Sequence, residues 1–489
     1  GGIRWEGRGG GGAGARHGSR QSSTAEPYEE EAPPREDGDS RPRSSERKIA
    51  ARGTPSNEGE RRALAVVQSP NVAPEDIVDV MRSNPGSALV QEESFRALSE
   101  LRLSEGDLRR LDEAGACEAA VAAMRDHHPD SAGVQSSACR ALWNLSASPE
   151  GQAIIGAAGG IDAVVAAMSK FESDAEVQET ALAALSNLAA SDENQAIIGE
   201  ARGIQEIVHA MNRFSENIHV QETGCAALTN LASKDAGIKK AITEAGGADA
   251  VVISMVMHPG DVELQQKALR ALRNLCANDD DNKILVANVG GIDAVIGAMQ
   301  VHRDDADVQE AGAWTLSNLA VNAENKAIIG ESGGIDVVVR AMWVHSDHAG
   351  VQEWACRALW TLSVDPNNRE IVTEVGGISA VVNAMQAHVD AAAVQEKGCG
   401  VLANLAANDD NNKVRIVEEE ALDAIVMAMV LHGDDRLVQE RACTVLRKLA
   451  FGPNIKPMQA ANVAALMQAA ATNFPQQCQE KAEYVIAML

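Results

Sequence analysis

A string close to VQEAGAWTLSNLA, found at residues 308–320, returns along most of the chain. It reads VQETALAALSNLA from Val177, VQETGCAALTNLA from Val220 and VQEKGCGVLANLA from Val394. Its glutamine recurs every 43 or 44 residues, and after 40 residues at the last step. The ten glutamines are Gln91, Gln135, Gln178, Gln221, Gln265, Gln309, Gln352, Gln395, Gln439 and Gln479. A fixed period of this length predicts a helical solenoid rather than several unrelated domains.

Each unit contains three segments with helical signals. The first, such as DENQAIIGEA at residues 192–201, opens with an Asp or Asn that is suited to cap a helix. A Gly-Gly pair, such as Gly333-Gly334, then makes the turn into a second helix, because glycine tolerates a turn that a Cβ would obstruct. The third helix carries apolar residues with a 3.6-residue period around the repeated glutamine. A single unit buries too little apolar surface to fold alone, so the units are expected to stack.

Residues 1–62 have a different composition. They are rich in Gly, Pro, Ser and charged residues and show no apolar period. Such segments bury too little apolar surface to fold, so this stretch is predicted to be a disordered tail. The predicted domains are therefore a tail over residues 1–62 and a solenoid over residues 63–489, whose first and last repeats are expected to be partial.

The formal net charge of -27 limits the partners that the chain can bind. The phosphates of nucleic acids and anionic membranes would both be repelled, so neither is expected as a partner. No run of 18 apolar residues and no signal peptide is found, and the eight cysteines show no metal-binding spacing. We expect a cytoplasmic or nuclear monomer without metal or cofactor.

Two motifs connect the chain with a known family. The three-helix unit reads N-K-x-x-I-x-x-x-G-G-I and then V-Q-E-x-A-x-x-x-L-x-N-L-A, which resembles the armadillo repeat. The repeats are also similar to the armadillo segment of leucine-rich-repeat kinases. The resemblance covers about residues 63–489 and implies an all-α fold, a right-handed α-solenoid of about ten three-helix repeats. It also implies that the third helices line a concave groove.

An asparagine recurs nine residues after the repeated glutamine. The row consists of Asn144, Asn187, Asn230, Asn274, Asn318 and Asn404, with Thr361 interrupting it and Lys448 following. A carboxamide both donates and accepts hydrogen bonds, so the row is suited to hold the backbone of an extended peptide. Alternatively, these side chains bond the neighbouring helix or cap the end of the third helix.

The presumed groove face carries more bases than acids. Positions two, five, eight and nine after each glutamine hold eleven Lys or Arg but only Glu93 and Glu100. The candidate partner-binding bases are Arg140, Arg270, Arg357 and Lys397. Such a face favours an extended acidic or phosphorylated segment of another protein. The alternative is that some of these bases pair with acids of the next unit.

Trp314 and Trp354 are predicted to be anchors for such a partner. In the nuclear-import adaptors of this family, a Trp precedes each Asn by four residues, whereas here only Trp314 stands in that relation, to Asn318. The cationic face would also repel a Lys-rich import signal. An import adaptor is therefore disfavoured, and an exchange or dissociation factor for a small GTPase stays open as a family alternative.

No motif points to catalysis. Six units place a histidine after the second helix, at His127, His258, His302, His345, His388 and His432. Two other units hold Phe171 and Phe214 at that place, so we interpret it as a packing position and not as a metal site. No catalytic constellation stands out from the repeats, and the chain is predicted not to be an enzyme.

Overall fold

The computed structural model describes residues 54–101 and 103–489, which contain helices and no strand. Most of the tail predicted over residues 1–62 lies outside these residues. The first helix, Glu58–Val67, begins before the predicted boundary at residue 63, and the Asn57 side chain caps it by accepting from the Glu60 N–H. Residues Pro55–Leu489 form one compact unit.

This unit consists of ten three-helix repeats, numbered 1 to 10 by the ten glutamines in chain order. The first helices are Glu58–Val67, Glu105–Ala114, Pro149–Ala157, Asp192–Glu200, Ala236–Glu244, Asp280–Asn288, Ala323–Glu331, Pro366–Glu374, Asp410–Glu418 and Ile455–Ala460, the last preceded by a 3₁₀ turn over Gly452–Asn454. The second helices are Pro74–Ser83, Ala116–Ala122 with a π-helical extension over Ala123–His127, Gly160–Lys170, Gly203–Arg213, Gly247–Met257, Gly291–Val301, Gly334–Val344, Gly377–Ala387, Ala421–Leu431 and Val463–Asn473. The third helices are Ala88–Glu100, Ala132–Leu145, Ala175–Leu188, Ile218–Leu231, Val262–Cys276, Ala306–Leu319, Ala349–Leu362, Ala392–Leu405, Arg436–Leu449 and Pro475–Met488. The predicted all-α solenoid is confirmed, and repeats 1 and 10 each contain three helices although they were expected to be partial.

The Gly-Gly pair makes the sharp turn between the first and second helices. Gly333 adopts φ +81, a left-handed conformation that glycine reaches without strain. A Cβ on the following Gly334 would lie 2.5 Å from the Ile329 side chain, so this position requires glycine for space. Arg202 and Glu420 occupy the first glycine's position in repeats 4 and 9 and are held at φ 64 and 63.

The repeated glutamine joins the second and third helices. Gln309 is buried, and its Nε2 donates to the backbone oxygens of Met299 at 2.9 Å and His302 at 2.8 Å. The same pair of bonds occurs in all repeats from Gln91 to Gln439. They satisfy carbonyls that the end of the second helix leaves without a partner. Gln479 in repeat 10 is exposed and donates to Glu483 instead.

The histidines at the end of the second helices connect neighbouring repeats. His258 Nε2 donates to the Ser215 carbonyl at 2.7 Å, and His345 Nε2 donates to the Arg303 carbonyl at 2.8 Å. In repeat 2 this bond is made by His128, to Pro85 O at 2.8 Å, and not by His127, which has the sequence position of the other histidines. The π-helical segment Ala123–His127 adds one residue there and shifts the register.

Successive third helices pack along most of their length, whereas successive first and second helices touch over shorter stretches. The third helices therefore form the inner, concave layer of the solenoid, as the family resemblance implied. The core between the layers consists of Ala, Val, Leu, Ile and Met, together with eight free, buried cysteines. Burial raises the pKa of thiols such as Cys399 to about 12, which keeps them protonated.

Two glycine variants test the turn. Gly333→Ala should destabilise the protein by about 1 kcal/mol, because its left-handed backbone disfavours any Cβ although the space is free. Gly297→Ala, in the interior of a second helix and also with free space, should stabilise it by about 0.5–1 kcal/mol. Urea denaturation followed by circular dichroism measures both changes, and shifts of the same sign would contradict this account.

Candidate peptide-binding groove

Each asparagine of the predicted row bonds the preceding repeat. The acceptor is the carbonyl eight residues after the preceding glutamine, in the last turn of the third helix, where it has no partner within its helix. The bonds run from Asn144 to Ser99 O (3.0 Å), Asn187 to Trp143 O (3.1 Å), Asn230 to Ser186 O (2.8 Å), Asn274 to Thr229 O (2.9 Å), Asn318 to Arg273 O (3.4 Å) and Asn404 to Trp360 O (3.0 Å). The alternative of bonding the neighbouring helix is thus what the structure shows, and contact of these half-buried carboxamides with a peptide stays a prediction.

Two repeats depart from this row. In repeat 7 the Thr361 hydroxyl donates to Arg357 O at 3.0 Å within its own helix, so it makes no bond to repeat 6. In repeat 9 Lys448 Nζ donates to Ala403 O at 2.8 Å and so takes over the bond that asparagine makes elsewhere. The row therefore connects repeats through any donor that is long enough to reach the carbonyl.

Opposite changes in neighbouring repeats test the role of this bond. Asn318→Ala should lower the free energy of unfolding by about 0.5–1.5 kcal/mol, because the Arg273 carbonyl loses its donor. Thr361→Asn should raise it by up to about 1 kcal/mol, because it supplies the missing donor to repeat 6. Chemical denaturation gives both values, and an unchanged stability of Asn318→Ala would show that the bond is not a structural one.

Two of the predicted binding bases are already paired with acids. Arg140 lies 3.4 Å from Glu176 of the next repeat, and the buried Lys397 lies 3.0 Å from Glu353 of the preceding one. For these two bases the structure thus shows pairing with acids at the start of neighbouring third helices, and their contact with a partner stays a prediction. Arg270 and Arg357, by contrast, are exposed and form no ion pair within the part of the chain that the structure describes.

Trp314 and Trp354 lie against each other on the concave face. Their ring centroids are 3.7 Å apart with an angle of 9° between the planes, so the indoles are stacked. The Arg273 guanidinium lies 4.1 Å from the Trp314 ring and that of Arg357 lies 5.8 Å from the Trp354 ring. These four residues are called the Arg–Trp stack below. Cation–π attraction holds each guanidinium in place while its outer N–H groups stay available.

Arg273 is the member of the Arg–Trp stack that the sequence counted among the bases but did not single out as a site. It forms no ion pair within residues 54–101 and 103–489, and its Nε donates to Asn274 Oδ1 at 3.3 Å. Burial, together with the charge of the neighbouring Arg270, lowers its pKa. The signal that would have found it is an Arg eight residues after one glutamine and an aromatic residue five after the next. The same pattern recurs at Arg447 and Tyr484, where the guanidinium lies 5.4 Å from the centre of the ring.

A third tryptophan, Trp360, packs against a glycine of the following repeat. A Cβ on Gly400 would lie 2.8 Å from the Trp360 indole, so only glycine allows this packing. Arg441 of repeat 9 lies 4.8 Å from the same ring, and its buried Nε has no hydrogen-bond partner among the described residues. Trp360 and Arg441 thus extend the tryptophan and arginine surface of the groove from the Arg–Trp stack to repeat 9.

A family model matches the repeats of this chain. The model described as LRRK2 ARM repeat matches residues 77–411 and, overlapping them, 331–488. The chain belongs to the LRRK2 ARM repeat family. No curated protein matches this ARM repeat chain.

Solved structures share the fold of this ARM repeat chain. One engineered protein is 26% identical, with a TM-score of 0.71 over 88% of this chain and 99% of its own. A chain from the structure described as "A conserved phosphorylation switch controls the interaction between cadherin and beta-catenin in vitro and in vivo" is 16% identical, with a TM-score of 0.62 over 89% of this chain and 97% of its own. Together with the family model, these structures show the ARM repeat solenoid fold, an architecture of protein-interaction scaffolds.

Among residues 54–101 and 103–489, no group of three or more His, Cys, Asp or Glu is arranged to hold a metal ion. No single helix there has the length and apolar character to cross a membrane, although two bent helix pairs, Pro149–Ala157 with Gly160–Lys170 and Asp280–Asn288 with Gly291–Val301, meet those criteria when taken together.

Proposed function

We propose that the concave face of this ARM repeat scaffold binds an extended, acidic segment of another protein, centred on repeats 5 to 7. The observation that carries the proposal is the Arg–Trp stack together with Arg270. Their three guanidinium groups form no ion pair with the described residues and face the groove of a chain with a net charge of -27. Local positive charge in an otherwise anionic protein steers acidic ligands to this place.

The chemistry of the site favours carboxylates. Arginine offers planar pairs of N–H donors that match a carboxylate, and the stacked indoles provide an apolar surface for the side chains between the acids. Each charge-assisted bond contributes about 1.5–3 kcal/mol, so two or three of them support micromolar binding once the ordering of the segment is subtracted. A Lys-rich segment would meet like charge in this groove, which argues against import-adaptor function.

The proposal is tested with labelled Glu-rich and Lys-rich peptides by fluorescence anisotropy. The Glu-rich peptide should bind, more weakly at higher salt, and Arg273→Gln/Arg357→Gln should lower its affinity by about tenfold or more. The loss is expected because the variant removes both guanidinium groups of the Arg–Trp stack. A preference for the Lys-rich peptide, or an unchanged affinity of the double variant, would contradict the proposal.

The second helix of repeat 7, Gly334–Val344, offers control positions outside the groove. Arg340 pairs with Asp336 at 2.6 Å, and Trp343 is exposed on the same helix, outside the third-helix face. Arg340→Gln removes a guanidinium group, as the groove variants do, and Trp343→Ala removes an exposed indole. Both should leave the affinity for the Glu-rich peptide unchanged. If they weaken binding as much as the groove variants do, the segment binds elsewhere.

A further inference from the structure

A cavity of about 660 Å³ opens between repeats 9 and 10, beyond the Arg–Trp stack. Four cationic side chains line it, those of Lys413, Arg447, Lys448 and Lys481, and no Asp or Glu of the described residues is among its lining. Phe451 and Tyr484 supply apolar surface. Its size lies within the range of small-ligand sites, and the charge of its walls calls for an anion.

Two of the cations are held by aromatic rings. Lys413 Nζ lies 4.9 Å from the Phe451 ring and the Arg447 guanidinium 5.4 Å from the Tyr484 ring. Their carboxylate partners, Asp410 at 2.8 Å and Glu480 at 3.2 Å, have side chains that are 65% and 83% exposed, so water screens both pairs, and neither acid lines the cavity. Lys448 and Lys481 form no ion pair within the described residues.

The fold does not require a positive charge at the position of Lys448. It occupies the position of the asparagine row, and its Nζ makes the row's bond to the preceding carbonyl, Ala403 O, at 2.8 Å. Six other repeats make that bond with a neutral carboxamide. Burial and the nearby Arg369 lower the pKa of Lys448, so its charge costs free energy in the protein alone. A bound anion would reverse that cost.

We infer that this cavity binds the phosphate of a phosphorylated serine or threonine in the acidic segment. The inference rests on the proposed function, because the segment must follow the groove to reach repeats 9 and 10. A phosphate carries nearly two negative charges and three acceptor oxygens, which several cations contact at once, whereas a carboxylate offers one charge and two oxygens. Phosphorylation would therefore strengthen binding of the segment.

The test uses the full chain and a set of Glu-rich peptides with one serine at varied positions, each with and without phosphate on that serine. At the serine position that best reaches the cavity, phosphorylation should tighten binding of the peptide to the unaltered protein by about tenfold. Lys448→Asn should abolish that difference, because it keeps a donor for Ala403 O and removes the charge. Lys240→Asn, on an exposed first-helix lysine paired with Glu244, should retain it.

The outcomes separate this inference from the proposed function. If the Glu-rich peptides bind without phosphate but phosphorylation adds nothing in any register, or if Lys448→Asn keeps the tenfold difference, the phosphate site is wrong and the groove proposal stands. If they do not bind at all without phosphate, the groove proposal fails. Phosphoserine alone binding as tightly as the phosphopeptides would identify a site for a small free anion and overturn the inference. Should Lys448→Asn unfold, Lys481→Gln removes a second charge of the cavity and should reduce the difference.

Discussion

The structure depends on the satisfaction of helix-end carbonyls by side chains of the next repeat. An α-helix leaves its last carbonyls without partners, and thirty short helices would expose many of them. Here the third-helix asparagines and the histidines that end the second helices donate to carbonyls of the preceding repeat. Buried asparagines of the first helices add bonds to carbonyls inside the preceding first helix, as Asn325 does to Lys283 O at 3.0 Å. Because each donor side chain has a fixed length, it bonds only one carbonyl of the preceding repeat, and the repeats are held in a fixed register.

That register creates the groove. It places the residues eight, five and two positions after the glutamines of three successive repeats next to one another, as Arg273, Trp314 and Trp354 show. Trp360, Gly400 and Arg441 repeat the arrangement further along the solenoid. A recognition surface assembled in this way belongs to no single repeat, so a change in one repeat alters the environment of side chains in the next two.

Charge is distributed unevenly along this surface. In the first half, acids neutralise the groove bases, as Glu176 does for Arg140. From repeat 5 onward, several arginines lie on indole rings instead of beside carboxylates, and the groove leads to the cationic cavity at repeats 9 and 10. A guanidinium on an aromatic ring is positioned without losing its charge, whereas one in an ion pair is positioned and neutralised. The difference decides which part of the groove is suited to an acidic ligand.

The period of the glutamines and the 3.6-residue apolar pattern determined the fold from the sequence alone, because both reflect contacts repeated in nearly every unit. Sequence also identified Trp314, Trp354 and the asparagine row as special positions. It left open what the asparagines bond and which groove bases pair with acids, and it did not predict that His128 replaces His127 or that Arg273 completes the stack. These facts depend on distances between side chains some 40 residues apart, which only the packing of one repeat on the next fixes.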